Sequence, residues 1–432
     1  MKVNKFICSV VAAVAVGTAL AAVVPGIENV TVRQNWPWDD AIGIDFTVTG
    51  TNCDVEVWAS YDGVQPFRLA ETDLTGDFTD AAPGARHIDW HLRRAGLGLK
   101  ESLMNFKVSL VPVDVAEHTY LILNLRDGTY EYAATAPDKG WRQDNSAYVL
   151  TKMVFRRIPA GTFNMGTTDE ICEWSYRHEM DNYLYNARSK LHSTTISRDY
   201  YMAVYPVTSG QLQTFTNAAA GGTSPATTGH SFFAASYDAV RGSRAEGINW
   251  PITAGDRYAV SDGSFLGQMR KVAKLPANWV IDLPTSAQWE RAAKAEMPDD
   301  YIYPTGGTPA NTDAELWDIV GVIATTGKNR PSSGGSYVGQ RQPNAYGVYD
   351  MCGLCFEWNL DYYENAAPEG LVDPVGPTSN NSNLRVRRNY TGGTTEDYRL
   401  DAYTPMYYGY YASDNSMPSF RFCISLHRIG RD

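Results

Sequence analysis

Cys352 and Cys355 are separated by two residues, a spacing that suits a redox disulfide or a pair of soft thiolate ligands. The other cysteines are Cys8, inside the apolar N-terminal segment, and Cys53, Cys172 and Cys423. Five therefore follow that segment, an odd number that leaves at least one unpaired in a monomer, and too few to stand in for a core. The histidines, His87, His91, His118, His178, His192, His230 and His427, show no HExxH or other zinc-like clustering. No G-x-S-x-G elbow or phosphate-binding glycine loop occurs. A different chemistry is suggested between Asn389 and Tyr411, where Tyr390, Tyr398, Tyr403, Tyr407, Tyr408, Tyr410 and Tyr411 alternate with Gly, Thr, Asp and Asn. Tyrosine gives wide amphipathic contact at low entropy cost, and small polar neighbours add adaptable hydrogen bonds. The segment reads as a recognition surface for a protein, peptide or glycan, with Tyr398, Tyr403, Tyr407, Tyr408 and Tyr410 as candidate contacts and the rest packed inward.

The elements that must position these groups follow from the pattern of the 432 residues. Lys2 and Lys5 precede an apolar run from Phe6 to Leu20, and Ala19 and Ala21 form an Ala-x-Ala site, so residues 1–22 read as a signal peptide for export to the periplasm or cell exterior. That run is shorter than the roughly 20 residues that span a bilayer, and no integral membrane segment is expected after cleavage. The net charge of −11 becomes −13 without the two leader lysines, a balance that repels nucleic acid. In residues 24–115, Ile42, Ile44, Phe46 and Val48 alternate with small or polar residues, as do Val55, Val57 and Ala59, and Phe106, Val108 and Leu110. This period-two pattern with turn signals such as Asp62-Gly63 predicts an antiparallel β-sandwich of immunoglobulin or fibronectin type. Trp36, Trp38, Trp58 and Trp90 are read as its buried tryptophans rather than a sugar-binding face. Residues 116–150, with an apolar strand at Tyr120 to Leu125, read as a structured connector. From 151 to 432 the chain is rich in Gly, Asn, Asp and Thr, and two helices are predicted where Thr208 precedes Gln211 and Thr285 precedes Gln288 at capping-box spacing. The second runs from Thr285 to about Glu296, with Trp289, Ala292 and Ala293 facing the core.

Within this last region stand Ile158-Pro159-Ala160-Gly161-Thr162-Phe163-Asn164-Met165-Gly166, the stretch from His192 to Tyr205-Pro206-Val207-Thr208, and Leu283-Pro284-Thr285-Ser286-Ala287-Gln288-Trp289-Glu290. Pro343 to Gly353, Phe356-Glu357-Trp358 and Ser419-Phe420-Arg421-Phe422 follow in order. Together they resemble the formylglycine-generating (sulfatase-modifying factor) enzyme family over about residues 151 to 428. The resemblance implies an α+β, C-type-lectin-like fold with two helices and long loops; His192 lies on one of its strands and is read as a packed histidine. It further implies a calcium ion at Asp350, Gly353, Cys355 and Glu357, the two carboxylates binding through side chains and the other two through main-chain carbonyls. The usual Gly-Asn of that turn is Gly353-Leu354 here, and a second calcium site maps near Asn311 and Thr312. The family's oxidation of a substrate cysteine needs two thiolates that bind copper(I) just before the closing strand. This chain has Gly392-Gly393-Thr394-Thr395-Glu396-Asp397-Tyr398-Arg399 there, and no cysteine between Glu357 and Phe422. Copper is therefore not expected. The reading is a non-catalytic recognition protein steadied by calcium. The alternatives are a formylglycine-generating or related oxidase using Cys352 and Cys355, and a structural envelope protein.

Overall fold

The computed structural model describes residues 24–34, 39–61, 65–97, 107–138, 140–141, 146–166, 168–170, 191–221, 229–232, 235–242, 260–299, 337–351, 353–363, 371–377, 384–389, 408–413 and 418–426. The N-terminal region contains β1 (Gly26–Gln34), β2 (Ala41–Thr49), β3 (Cys53–Ser60), β4 (Phe67–Arg68), β5 (Leu74–Gly76), β6 (Gly84–His91) and β7 (Lys107–Asp114). They form two antiparallel sheets, ordered β1-β2-β6-β5 and β4-β3-β7. The alternation in the sequence becomes burial: Ile42, Ile44, Phe46 and Val48 are each at most 2% exposed, and Val55, Val57 and Ala59 face the same core. Trp90 is wholly buried and meets Phe67 edge-on. Trp58 is half-buried, its indole N–H donating to Glu56. Trp36, Trp38, Asp62, Gly63 and Phe106 lie outside the described residues.

The strands β8 (Tyr120–Asn124), β9 (Tyr130–Ala133), β10 (Lys152–Ile158), β11 (Gly161–Met165), β12 (His192–Ile196) and β13 (Tyr200–Ala203) come next. After them are β14 (Val280–Asp282), β15 (Phe356–Tyr362), β16 (Leu371–Val372), β17 (Leu384–Arg388), β18 (Tyr408–Tyr411), β19 (Pro418–Ser419) and β20 (Cys423–Ser425). They build sheets ordered β14-β20-β13-β10-β8-β9, β18-β17-β15-β19 and β11-β12-β16. In the expected structured connector at 116–150, the strand expected at Tyr120 to Leu125 forms as β8. Its strands β8 and β9 are the outer members of the six-stranded sheet, because β8 pairs with β10 from Tyr120↔Arg156 to Asn124↔Lys152 and buries Leu121 and Leu123. The helices lying wholly within the described residues are α1 (Ser146–Leu150), α2 (Ser209–Ala219), α3 (Tyr237–Arg241), α4 (Phe265–Val272) and α5 (Ser286–Lys294).

Both predicted capping boxes form. Thr208 and Gln211 satisfy each other's backbone N–H groups at the start of α2, and Thr285 and Gln288 do so at α5. Helix α5 ends at Lys294, two residues before Glu296, capped by Ala295 with φ of +46°, and buries Trp289 and Ala292 while Ala293 is half-buried. The N-terminal sheets and the six-stranded sheet share one continuous apolar cluster in which Phe78 stacks on Trp279 at 6.4 Å. The N-terminal region is thus packed onto the rest rather than strung beside it.

Candidate functional site

The turn from Asp350 to Glu357 lies where β15 begins. Three left-handed positions bend it: Asp350 (φ +57°), Gly353 (φ +81°) and Leu354 (φ +68°). Glycine adopts this region without cost, whereas a leucine gives up about 1–2 kcal/mol there. Leu354 recovers that loss by burial against Cys355 and Tyr349. The turn is closed from two sides. Asn389, at the end of β17, accepts from the Gly353 N–H at 2.7 Å and donates to the Asp350 carbonyl at 2.9 Å. Arg421 donates from Nε and Nη2 to the two Glu357 oxygens at 2.6 and 2.7 Å, and from its remaining N–H groups to the carbonyls of Ala203, Tyr349 and Asp350. The indole of Trp289 adds a third donor to Glu357 at 2.8 Å. Arg421 and Glu357 are both wholly buried, and a forked guanidinium matched to a carboxylate is the geometry in which such a pair holds best.

All four residues expected to ligate calcium therefore sit in this one turn, but three of them, Glu357, Asp350 and Gly353, already offer ligand oxygens to protein donors. Besides the Glu357 contacts, Asp350 Oδ2 accepts from the Gly339 N–H at 2.7 Å, and the Gly353 carbonyl accepts from Cys355 N–H at 2.9 Å. Burial pushes the Asp350 carboxyl up to about 6. A guanidinium already neutralises Glu357, so as arranged the set does not fit a calcium ion, which needs several free anionic or carbonyl oxygens. Among the described residues no group of three or more His, Cys, Asp or Glu side chains is placed to hold a metal. Asn311 and Thr312 lie outside the described residues.

The thiols are equally enclosed. Cys355 is wholly buried, and burial together with the Glu357 charge drives its thiol well above the ordinary range. Cys423 on β20 is 1% exposed, between β13 and β14, and burial raises it too. Cys53 is buried in the N-terminal core and pushed up to about 11. All three are free thiols. Cys352 and Cys172 fall outside the described residues, so the Cys352-x-x-Cys355 pairing is not described. Tyr398, Tyr403 and Tyr407 also fall outside them; Tyr408 and Tyr410 lie on β18, whose backbone pairs antiparallel with β17. His192 is buried on β12, packed as expected.

Residues that sequence reasoning passed over carry much of this region. Arg385 and Arg387 project from one face of β17 onto aromatic rings of β15 and α3: Arg385 lies 3.2 Å from the Tyr362 centroid on β15 and 4.6 Å from that of Tyr237 on α3, and Arg387 lies 4.4 Å from Trp358 on β15. Each guanidinium over a ring face is a cation–π contact strengthened by exclusion of water. On the opposite face Arg388 pairs with Glu290 at 3.0 Å and donates to Ser286. The available signal was the period-two match of Arg385 and Arg387 with Phe356, Trp358 and Tyr362, hidden because arginines in a strand read as solvent-facing.

Among the described residues, few helices and several small sheets make a mixed α+β protein. Residues 142–395 match the sulfatase-modifying factor enzyme 1-like domain, more than half of the chain, and the protein belongs to that family. It is 25% identical to the formylglycine-generating enzyme of Mus musculus over 292 residues, 62% of this chain and 74% of that one. It is 32% identical to that of Thermomonospora curvata over 103 residues, 22% of this chain and 33% of the relative. Among solved structures it is similar to PvdO from Pseudomonas aeruginosa, at 18% identity and a TM-score of 0.44 over 63% of this chain and 94% of that one. It is also similar to Treponema denticola variable protein 1, at 22% identity and a TM-score of 0.40 over 63% and 95%.

Proposed function

We propose that this chain is an exported, non-catalytic recognition protein, with an immunoglobulin-like sandwich docked on a C-type-lectin-like domain. The observation that carries the reading is the state of its described thiols together with the spacing of its cysteines. No cysteine occurs between Cys355 and Cys423, and these two are sealed in the core with their thiols pushed up, whereas copper(I) oxidation needs exposed thiolates. The tyrosine-rich segment that includes Tyr398, Tyr403, Tyr407, Tyr408 and Tyr410 is the ligand surface on this reading. Loop support assigned to calcium in the sequence reading is work that Arg421 and Asn389 can do. The decisive experiment incubates the mature protein with copper, oxygen and a peptide bearing Cys-x-Pro-x-Arg, and follows conversion of the thiol to an aldehyde by mass spectrometry. No conversion is expected beside an active control enzyme. Turnover would overturn the reading in favour of formylglycine formation, the activity named for the mouse, cattle and Thermomonospora relatives.

A further inference from the structure

Where the N-terminal sheets meet the six-stranded sheet, one guanidinium faces three carboxylates away from solvent. Arg157, 4% exposed on β10, donates to Asp54 from Nη1 at 2.6 Å and Nη2 at 3.1 Å, and to Asp199 from Nε at 2.7 Å. Asp80 is left 4.0 Å from Nη2. It accepts instead from neutral donors, the Asn52 amide at 3.0 Å and the Asp199 N–H at 3.1 Å, while its own N–H goes to Asp54 at 2.8 Å. Asp80 is held in this crowd by a left-handed φ of +48°, a conformation that aspartate tolerates better than most residues.

The cations facing this cluster do not balance it. From the turn before β8, His118 Nδ1 lies 2.6 Å from Asp54 Oδ2, stacked on Tyr132 at 3.8 Å. At the rim Arg198 is 3.8 Å from Asp77, Tyr201 lies under the Arg157 guanidinium, and Cys53 is neutral beside Asp54. Glu71, on the far side of His118, is held by the hydroxyls of Tyr130 and Tyr132. Even with His118 charged, the three aspartates outnumber the two cations that touch them. A buried charge left without a close partner is the costly member of such a set.

We propose that this junction is a mild-acid lock, in which Asp80 takes up a proton as the pH falls and thereby removes the repulsion that opposes docking of the N-terminal sheets. The electrostatic environment separates the two N-terminal acids in the required sense. Burial first, then the Asp199 charge, raise Asp80 above the ordinary carboxylate value. At Asp54 burial is again the largest influence and raises the value, but Arg157 and His118 together outweigh it and hold the carboxyl well below the ordinary range. Stability from Asp80 is full below its unfolded value and is lost as pH rises through its raised folded value. Stability from Asp54 is present above its unfolded value and is lost as pH falls through its depressed folded one. The junction is tightest between these limits, with Asp54 charged and Asp80 neutral. This inference is independent of any activity.

The test is thermal unfolding of the full chain and of Asp80→Asn from about pH 8 down to about pH 4, the ordinary aspartate value below which the Asp80 contribution is complete. The midpoint of the unsubstituted protein should gain about 2–4 °C on the variant's curve as pH falls. Parallel curves overturn the proposal. Asn52 is exposed, so Asn52→Lys provides a second variant that keeps the fold while placing an ammonium beside Asp80. It should flatten the same acid gain, and an unchanged slope in Asn52→Lys also overturns the proposal.

Discussion

Arg421 and Arg157 are both buried arginines that tie distant segments together, yet they meet opposite charge conditions. Arg421 faces one carboxylate, matches it with two hydrogen bonds and spends its remaining donors on backbone carbonyls. Arg157 divides its donors between Asp54 and Asp199 with Asp80 close by. The balanced pair makes a fixed strut under the loop site. The unbalanced cluster makes a joint whose strength depends on where protons sit. Burial alone does not decide whether an ionic contact is inert or responsive; the local count of charges does.

The largest expected effect comes from Arg157→Met, which strands three acids at the junction. Urea unfolding near neutral pH should show a loss above about 3–5 kcal/mol. A loss no greater than that of Arg421→Met would break the contrast. Arg421→Met should itself cost about 3 kcal/mol, because Glu357 is left with only the indole donor, and adding Glu357→Leu should restore much of it. A double variant as unstable as the sum of both single changes would mean that the pair is not acting as one unit. Thr285→Ala supplies a neutral reference: losing the α5 cap should cost about 1 kcal/mol, with no difference between mildly acidic and neutral solution. Smallest of all should be the response to a calcium chelator, under about 0.5 kcal/mol in the same unfolding assay, since Arg421 already neutralises Glu357. A chelator effect of about 2 kcal/mol or more would mean that an ion displaces this guanidinium.

The features legible in the sequence are those whose cause is local. Thr208 with Gln211 and Thr285 with Gln288 lie within one helical turn, and the alternation of Ile42, Ile44, Phe46 and Val48 lies within one strand. That Tyr120–Asn124 pairs with β10 was not legible, because such a strand looks alike whether it pairs within a linker or with a distant partner. The order of motifs placed Asp350 and Glu357 in one turn. Nothing local revealed that Arg421, 64 residues after Glu357, would satisfy it, or that Arg157 would reach Asp54 across 103 residues. Charged residues in strands carry no period that distinguishes a solvated face from a buried ion pair.

Strand β20 is the last in chain order among the described residues, yet it lies inside the six-stranded sheet, between β14 and β13. During synthesis the earlier strands therefore emerge with a missing neighbour, and β13 and β14 cannot be bridged until Cys423–Ser425 arrives. Such late closure makes folding slow and leaves strand edges open to strangers in the meantime. A chain that stopped short of β20 would leave β13 and β14 without the strand that joins them, and their edges unpaired.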